Sequence, residues 1–310
     1  MPKYFCAKSC IRRVGLNGLS EEEERFHFGM WAINKSPLII GATVDPEKLN
    51  KHSLDIMSNT EVIAINQDVL AKQAQLVRRY TEEEYDIWLG ELSGYRHVLG
   101  FANWRNDSQS VEVDLTSLGF ASVTARDVWA AKDLGPISGL QKLNLAAHEL
   151  RLWVLSDTTA AAPLKSRCYH SASEALLTGI AQLTTCSSGT CLPTGSKVGN
   201  IASGSSATFT SVSACSSGRK TLGIDFVNYD YAFETAWQWG DNARNATITV
   251  NNGAAKRWAF PPSGGNWDES GRLVIEVDGF VEGSENVVTF GGYGNASSWA
   301  PDFVGFEILE

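Results

Sequence analysis

The side chains of this 310-residue chain that could do covalent chemistry are its carboxylates, its histidines and its six cysteines. Asp55, Glu61 and Asp68 lie close together in sequence, and paired carboxylates can act as acid, base or nucleophile. Their positions predict helix-end and loop residues instead. His148 stands at the entrance of the apolar run Leu150–Leu155, where a structural histidine is expected rather than a base. The cysteines fall at 6, 10, 168, 186, 191 and 215, and none has the CxxC spacing of a zinc or thioredoxin-like site. Cys186 and Cys191 bracket a Ser-Ser-Gly-Thr loop and predict a local disulfide, with Cys168 and Cys215 as the natural second pair, although four cysteines permit three connectivities. Cys6 and Cys10 are assigned no metal or redox role. Glycosylation sequons occur at Asn106, Asn245 and Asn295, and a fourth at Asn34 is expected to be buried in a helix. Disulfides and sequons together point to secretion.

The stretch Gly18–Asp68 supplies the clearest secondary structure. Ser20 and Glu23 form a capping box, and Glu21–Glu24 set negative charge on the positive helix end. Phe26, Met30 and Ile33, widened by Phe28 and Trp31, predict an apolar helix face, and Pro37 is the expected stop. The unbroken run Leu38-Ile39-Ile40-Gly41 predicts a strand buried on both faces of a parallel sheet. Asp45-Pro46 then opens a second helix, carrying Leu49, Ile56 and Met57 and ending near Asn59.

In this stretch WAINKSPLIIG and, after it, TEVIAINQD closely resemble the last strand and helix of the (β/α)8 barrel of glycoside hydrolase family 27, the α-galactosidases. The resemblance implies a retaining glycosidase that uses two carboxylates about 5 to 5.5 Å apart. Family members reach the capping box through a D-x-D-M-L-x-V-G segment whose second aspartate is the acid/base. Here Val14-Gly15 fits its end, but the acid/base position falls on Cys10, and a thiol cannot replace the carboxylic acid. The nucleophile aspartate of a K-Y-D-type motif has no counterpart. A full barrel takes about 250 residues, of which roughly 55 are represented, and Met1–Arg13 lacks the apolar core of a signal peptide. Segments upstream are therefore expected, as is an absence of turnover by this chain.

Beyond Asp68, short alternating runs at Ile87–Leu89, His97–Ala102, Val111–Val113, Val123–Ala125 and Leu150–Leu155 predict an antiparallel sandwich. Asp127-Val128-Trp129 and Ala147-His148-Glu149-Leu150 resemble the family's carboxy-terminal β domain, with Trp88, Trp129 and Trp153 expected in its core. Further on, runs at Ala207–Val212, Leu222–Phe226, Ala246–Val250, Leu273–Val277 and Val287–Phe290, and a turn at Asn251-Asn252-Gly253, predict a jelly-roll. Val198–Ile201, Val250–Gly253, Asn286–Phe290 and Ala300-Pro301-Asp302 resemble carbohydrate-binding module family 35. That resemblance implies aromatic faces laid on sugar rings, and Tyr229, Trp267 and Trp299, each near amides or carboxylates, are the candidates. A glycan on Asn295 would crowd Trp299. The module family's calcium ligands appear here as Ser171, Ser173 and Val304, so no metal is expected.

The expected architecture is thus multidomain α+β: an incomplete barrel fragment over residues 1–68, a β-sandwich over 69–156, a linker over 157–167 and a jelly-roll module over 168–310. No cofactor is expected, and the partners are galactose-containing oligo- or polysaccharides. A net charge of -9 without a long basic run argues against nucleic acid, and no window approaches the ~20 apolar residues that cross a bilayer. The alternative to the enzyme family is a non-catalytic carbohydrate-binding protein working through the terminal module.

Overall fold

The structure is a computed structural model that describes residues 14–15, 18–43, 45, 47–230, 243–295 and 298–310. Cys10, Pro46, Trp237 and Trp239 lie outside the described residues. The chain divides into two compact units, Met1–Arg79 with Glu84–Pro163 and Tyr80–Glu83 with Leu164–Glu310.

In the first unit, helix α1 (Glu21–Ile33) begins at the capping box, with Ser20 Oγ accepting from Glu23 N at 3.2 Å and Ser20 N donating to Glu23 Oε2 at 2.8 Å. It ends before Pro37 is reached. Lys35, at φ +56°, donates its backbone N–H to Ala32, and Ser36 donates to Trp31, the paired bonds of a Schellman close. Asn34 is consequently a half-buried helix cap whose side chain bonds the Met30 carbonyl, not a residue buried within the helix. The expected second helix divides into α2 (Lys51–Met57) and α3 (Thr60–Asn66). Asn59 makes the break, because its Oδ1 accepts from Glu61 N at 3.1 Å and Val62 N at 3.0 Å and so caps a new helix.

The expected parallel strand at Leu38–Gly41 is not formed, and Ile39 and Ile40 are 67% and 50% exposed. A strand of that kind needs ladder partners on both edges. The strands described in this unit are engaged with one another in two antiparallel sheets.

Those strands are β1 (Gln75–Tyr80), β2 (Tyr85–Leu92), β3 (Arg96–Asn103), β4 (Gln109–Asp114), β5 (Phe120–Asp127), β6 (Lys132–Ile137), β7 (Leu140–Leu145) and β8 (Leu150–Ala160). Six form one sheet in the order β1-β2-β3-β8-β5-β6, and β4 pairs with β7. All five predicted runs lie in strands; β1, β6 and β7, more polar in sequence, were not predicted. Val98, Ala102, Leu150 and Leu152 join Phe26, Met30 and Ile33 of α1 in one buried cluster. Gly29 lets the helix approach, since a Cβ there would stand 2.8 Å from Leu150. The alternate residues Leu99, Phe101, Trp153 and Leu155 are buried as well, so both faces of the sheet are covered. Trp88 and Trp129 pack against the cluster, as expected of core tryptophans.

Strand β8 runs on to Ala160, pairing Thr159 with Ser122, so the strandless connection is shorter than the linker expected. The second unit contains β9 (Ser166–Ser171), β10 (Leu176–Thr178), β11 (Gln182–Thr185), β12 (Ser196–Gly199), β13 (Ser206–Ala214), β14 (Gly218–Val227), β15 (Arg244–Val250), β16 (Lys256–Phe260), β17 (Gly271–Phe280), β18 (Gly283–Gly292) and β19 (Asp302–Leu309). They make a five-stranded sheet, β10-β13-β18-β15-β16, and a six-stranded one, β11-β12-β19-β14-β17 with β9 on β19. Phe209 and Phe290 from the first meet Phe303 and Phe306 from the second, with ring centroids 3.9 to 5.7 Å apart. Each such ring contributes roughly 1.5–3 kcal/mol by burial. The predicted turn follows β15, with Gly253 N bonding the Val250 carbonyl.

Candidate functional site

One end of the second unit gathers the connections that carry its exposed aromatic residues. Phe226 on β14 pairs with Gly271 on β17, Val227 with Asp302 on β19, and Ala246 on β15 with Gly292 on β18. The antiparallel register therefore brings the end of β14, the loop between β16 and β17, and the loop between β18 and β19 to the same edge.

Asn228, fully buried, begins the build. Its Nδ2 donates to the Phe260 carbonyl at 3.0 Å and its Oδ1 accepts from Asp230 N at 3.0 Å, while its backbone exchanges bonds with Ser263. Tyr229 is thereby fixed against the loop that holds Trp267, and their rings meet edge to face at 6.3 Å. Asn266 shapes that loop by accepting from Asp268 N and Glu269 N. Behind it, buried Lys197 donates to the Trp267 carbonyl and pairs with Asp302 at 3.0 Å and Asp268 at 3.5 Å. Burial pushes the Asp302 carboxyl above its ordinary range, against the pull of Lys197.

The Cys186–Cys191 disulfide is formed, and Cys191 N donates to the Asp268 carbonyl at 2.8 Å. Asp268 and both sulfurs lie close enough to suggest a metal site, but sulfurs joined to each other are not thiolate ligands. The suggested second pair is not made. Cys168 and Cys215 are both exposed and not joined, and Cys215 instead donates its backbone N–H to Glu310.

Of the three candidate binding residues, Tyr229 and Trp267 are in contact, and Trp299 stands in the neighbouring loop. Trp267 and Trp299 are 37% and 39% exposed, a level at which a ring keeps surface for a ligand. Arg244, absent from the sequence expectations, lies over the Trp267 ring at 4.6 Å and donates to Asp230 and to the Ala300 carbonyl. Its sequence signal was faint, a lone cation at the head of an alternating run. Ser171 and Ser173 bond each other through their hydroxyls, and Val304 is buried beside Cys191 and Val227. These positions supply no oxygen cage for calcium, which takes six to eight oxygens.

The three carboxylates singled out in the first unit stand in helices and in a loop. Asp55 pairs with Lys51 on exposed helix surface, and Glu61 makes two hydrogen bonds to Arg126. Asp68 accepts from Ser93 and Leu70 in the loop after α3. His148, at φ +53° before β8, shares a 2.8 Å bond with Asn106.

Residues 82–155 match the family described as alpha galactosidase C-terminal beta sandwich domain. Probable alpha-galactosidase D of Aspergillus niger is 31% identical over 96% of this chain and 61% of its own length, and alpha-galactosidase D of Emericella nidulans is 29% identical over the same shares. The chain thus spans about three-fifths of the curated relatives it matches. Alpha-galactosidase I from Mortierella vinacea, a solved structure, is 28% identical at a TM-score of 0.44, covering 49% of this chain and 39% of that one.

Proposed function

This chain is related to the carboxy-terminal portion of the glycoside hydrolase family 27 α-galactosidases, and from that premise we propose that it binds galactose-containing glycans within a protein that releases terminal α-linked galactose. The observation that carries the binding role is the contact of Tyr229, Trp267 and Arg244 at one edge of the second unit, with Trp299 in the adjoining loop. Exposed indole and phenol faces suit the C–H surface of a sugar ring, and the surrounding amides and carboxylates suit its hydroxyls. The resemblance of this unit to carbohydrate-binding module family 35 supports the same role.

Hydrolysis belongs to the longer protein in this reading. Retention needs a nucleophile and an acid/base across the sugar, and this sequence offers Cys10 at one position and no counterpart for the other. The relatives, the disulfide and the sequon at exposed Asn106 support a secreted glycoprotein. No described helix is long and apolar enough to cross a membrane.

The pure chain is expected to release no nitrophenol from nitrophenyl α-galactoside and to give a saturable isotherm with galactomannan oligosaccharides. Trp299→Ala is expected to weaken that isotherm. Turnover would refute the catalytic part of this reading, and the absence of any glycan binding would refute the binding part. A second reading is a non-catalytic carbohydrate-binding protein acting through the terminal module, and Cys10 at the expected acid/base position supports it. It requires binding by this chain as tight as by any longer form that includes the barrel.

A further inference from the structure

The loop edge of the second unit holds a cation whose partners come from three separate connections. Arg244, the first residue of β15, sets its guanidinium 4.6 Å from the Trp267 ring centroid, donates from Nε to Asp230 Oδ2 at 3.2 Å, and donates from Nη1 to the Ala300 carbonyl at 3.3 Å. Asp230 follows Tyr229, and Ala300 follows Trp299. One side chain therefore touches, or lies one residue from, every aromatic residue proposed to bind.

Only a planar, multiply donating cation can do this. The guanidinium stacks by its face while its edge donates in two directions, whereas an ammonium is a point charge without a face. The backbone under Trp267 is already held from behind, by Lys197 on its own carbonyl and by Cys191 on the next one. That clamp holds the backbone, and the indole itself is met by Arg244 on its face and by the Tyr229 ring.

We propose that Arg244 is a positioning residue that assembles Tyr229, Trp267 and Trp299 into one face for a neutral sugar; this rests on the glycan-binding reading above. With one face of Trp267 occupied by the guanidinium, the sugar meets the part of the ring that stays exposed. Pre-ordering three loops removes the cost of arranging them on binding. The charge of the edge selects against anionic glycans. The described residues of the connections after β14, β16 and β18 include Asp230, Asp268 and Glu269 and no lysine or arginine. Arg244 and Lys197 at this edge are each paired with carboxylates, so a uronate would have to displace Asp230 to reach Arg244.

The test uses the full chain and its Arg244→Ala, Arg244→Lys and Trp267→Ala variants, titrated calorimetrically with neutral galactomannan oligosaccharide and with polygalacturonate. Thermal midpoints are read alongside, since a purely structural arginine would lower the midpoint rather than the affinity. The expected result is a fall of about tenfold or more in affinity for the neutral glycan in Arg244→Ala, at an unchanged midpoint, with only partial recovery in Arg244→Lys. Wild-type chain is expected to prefer galactomannan over polygalacturonate. Equal binding by Arg244→Ala and wild type, while Trp267→Ala loses affinity, would overturn the positioning role. A preference for polygalacturonate would overturn the neutral specificity. A wild-type chain that binds neither glycan would remove the glycan reading itself, an outcome distinct from the other two.

Discussion

Substituting Asp68 by asparagine is expected to release the loop after α3 from the turn between β2 and β3. Asp68, 8% exposed, accepts from Ser93 Oγ at 2.7 Å, from Ser93 N at 2.9 and 3.0 Å, and from Leu70 N at 3.1 Å. Arg96 stands at its edge at 3.4 Å. An amide of the same shape keeps one accepting oxygen but turns an NH2 toward donors, so one or two charge-assisted bonds are lost. At about 1.5 kcal/mol each, the cost is about 1.5–3 kcal/mol. Native-state hydrogen exchange at the Leu70 and Ser93 amides reads this locally, as a loss of protection of about 10- to 150-fold. The pH dependence gives an independent check. Burial by itself would raise the Asp68 carboxyl, but the bonds from Ser93 and Leu70 and the charge of Lys35 outweigh it and hold the group below the ordinary carboxylate range. A depressed folded-state value means stabilisation present above the unfolded value of about 3.9 and lost as pH falls through the folded one. Wild type should therefore lose protection at these amides below about pH 4, and Asp68→Asn should lose no more than it already has. Protection in Asp68→Asn within threefold of wild type at pH 7 would refute the reasoning.

Two further outcomes follow from local geometry. Ser20→Ala removes the hydroxyl that receives Glu23 N and should destabilise α1 by about 1 kcal/mol, with Ser20→Asp restoring most of it; unchanged helical ellipticity and unfolding midpoint in the alanine variant would contradict this. Replacing Cys186 and Cys191 by serine should cost about 2 kcal/mol, the entropy of so short a loop. It should also speed amide exchange at Cys191, whose N–H holds the Asp268 carbonyl behind Trp267; reduction of the wild type should reproduce both effects.

How far the sequence reached differed by element. The capping box of α1 was readable because both of its bonds span three residues, and the same locality exposed the turn at Asn251 and the Cys186–Cys191 bridge. The buried alternating strands were readable because one covered face imposes a period of two. Short polar or edge strands such as β6 and β11 carry no such period, and they were missed. Leu38–Gly41 was misread for a related reason. An apolar run records a tendency to be buried, but a parallel strand exists only where other strands offer their edges, and that is a property of the assembled sheet.

The edge that carries Tyr229, Trp267 and Trp299 shows the same division. By itself the sequence determined which aromatic residues stand in loops rich in glycine, asparagine and acidic residues. Tertiary structure alone decided that the end of β14, the Trp267 loop and the Trp299 loop share one edge, because antiparallel register converts positions far apart in sequence into neighbours. It also decided the roles of Arg244 and Lys197. A cation's partners are set by distances of a few ångströms across strands, and those distances do not exist until the sheets have paired.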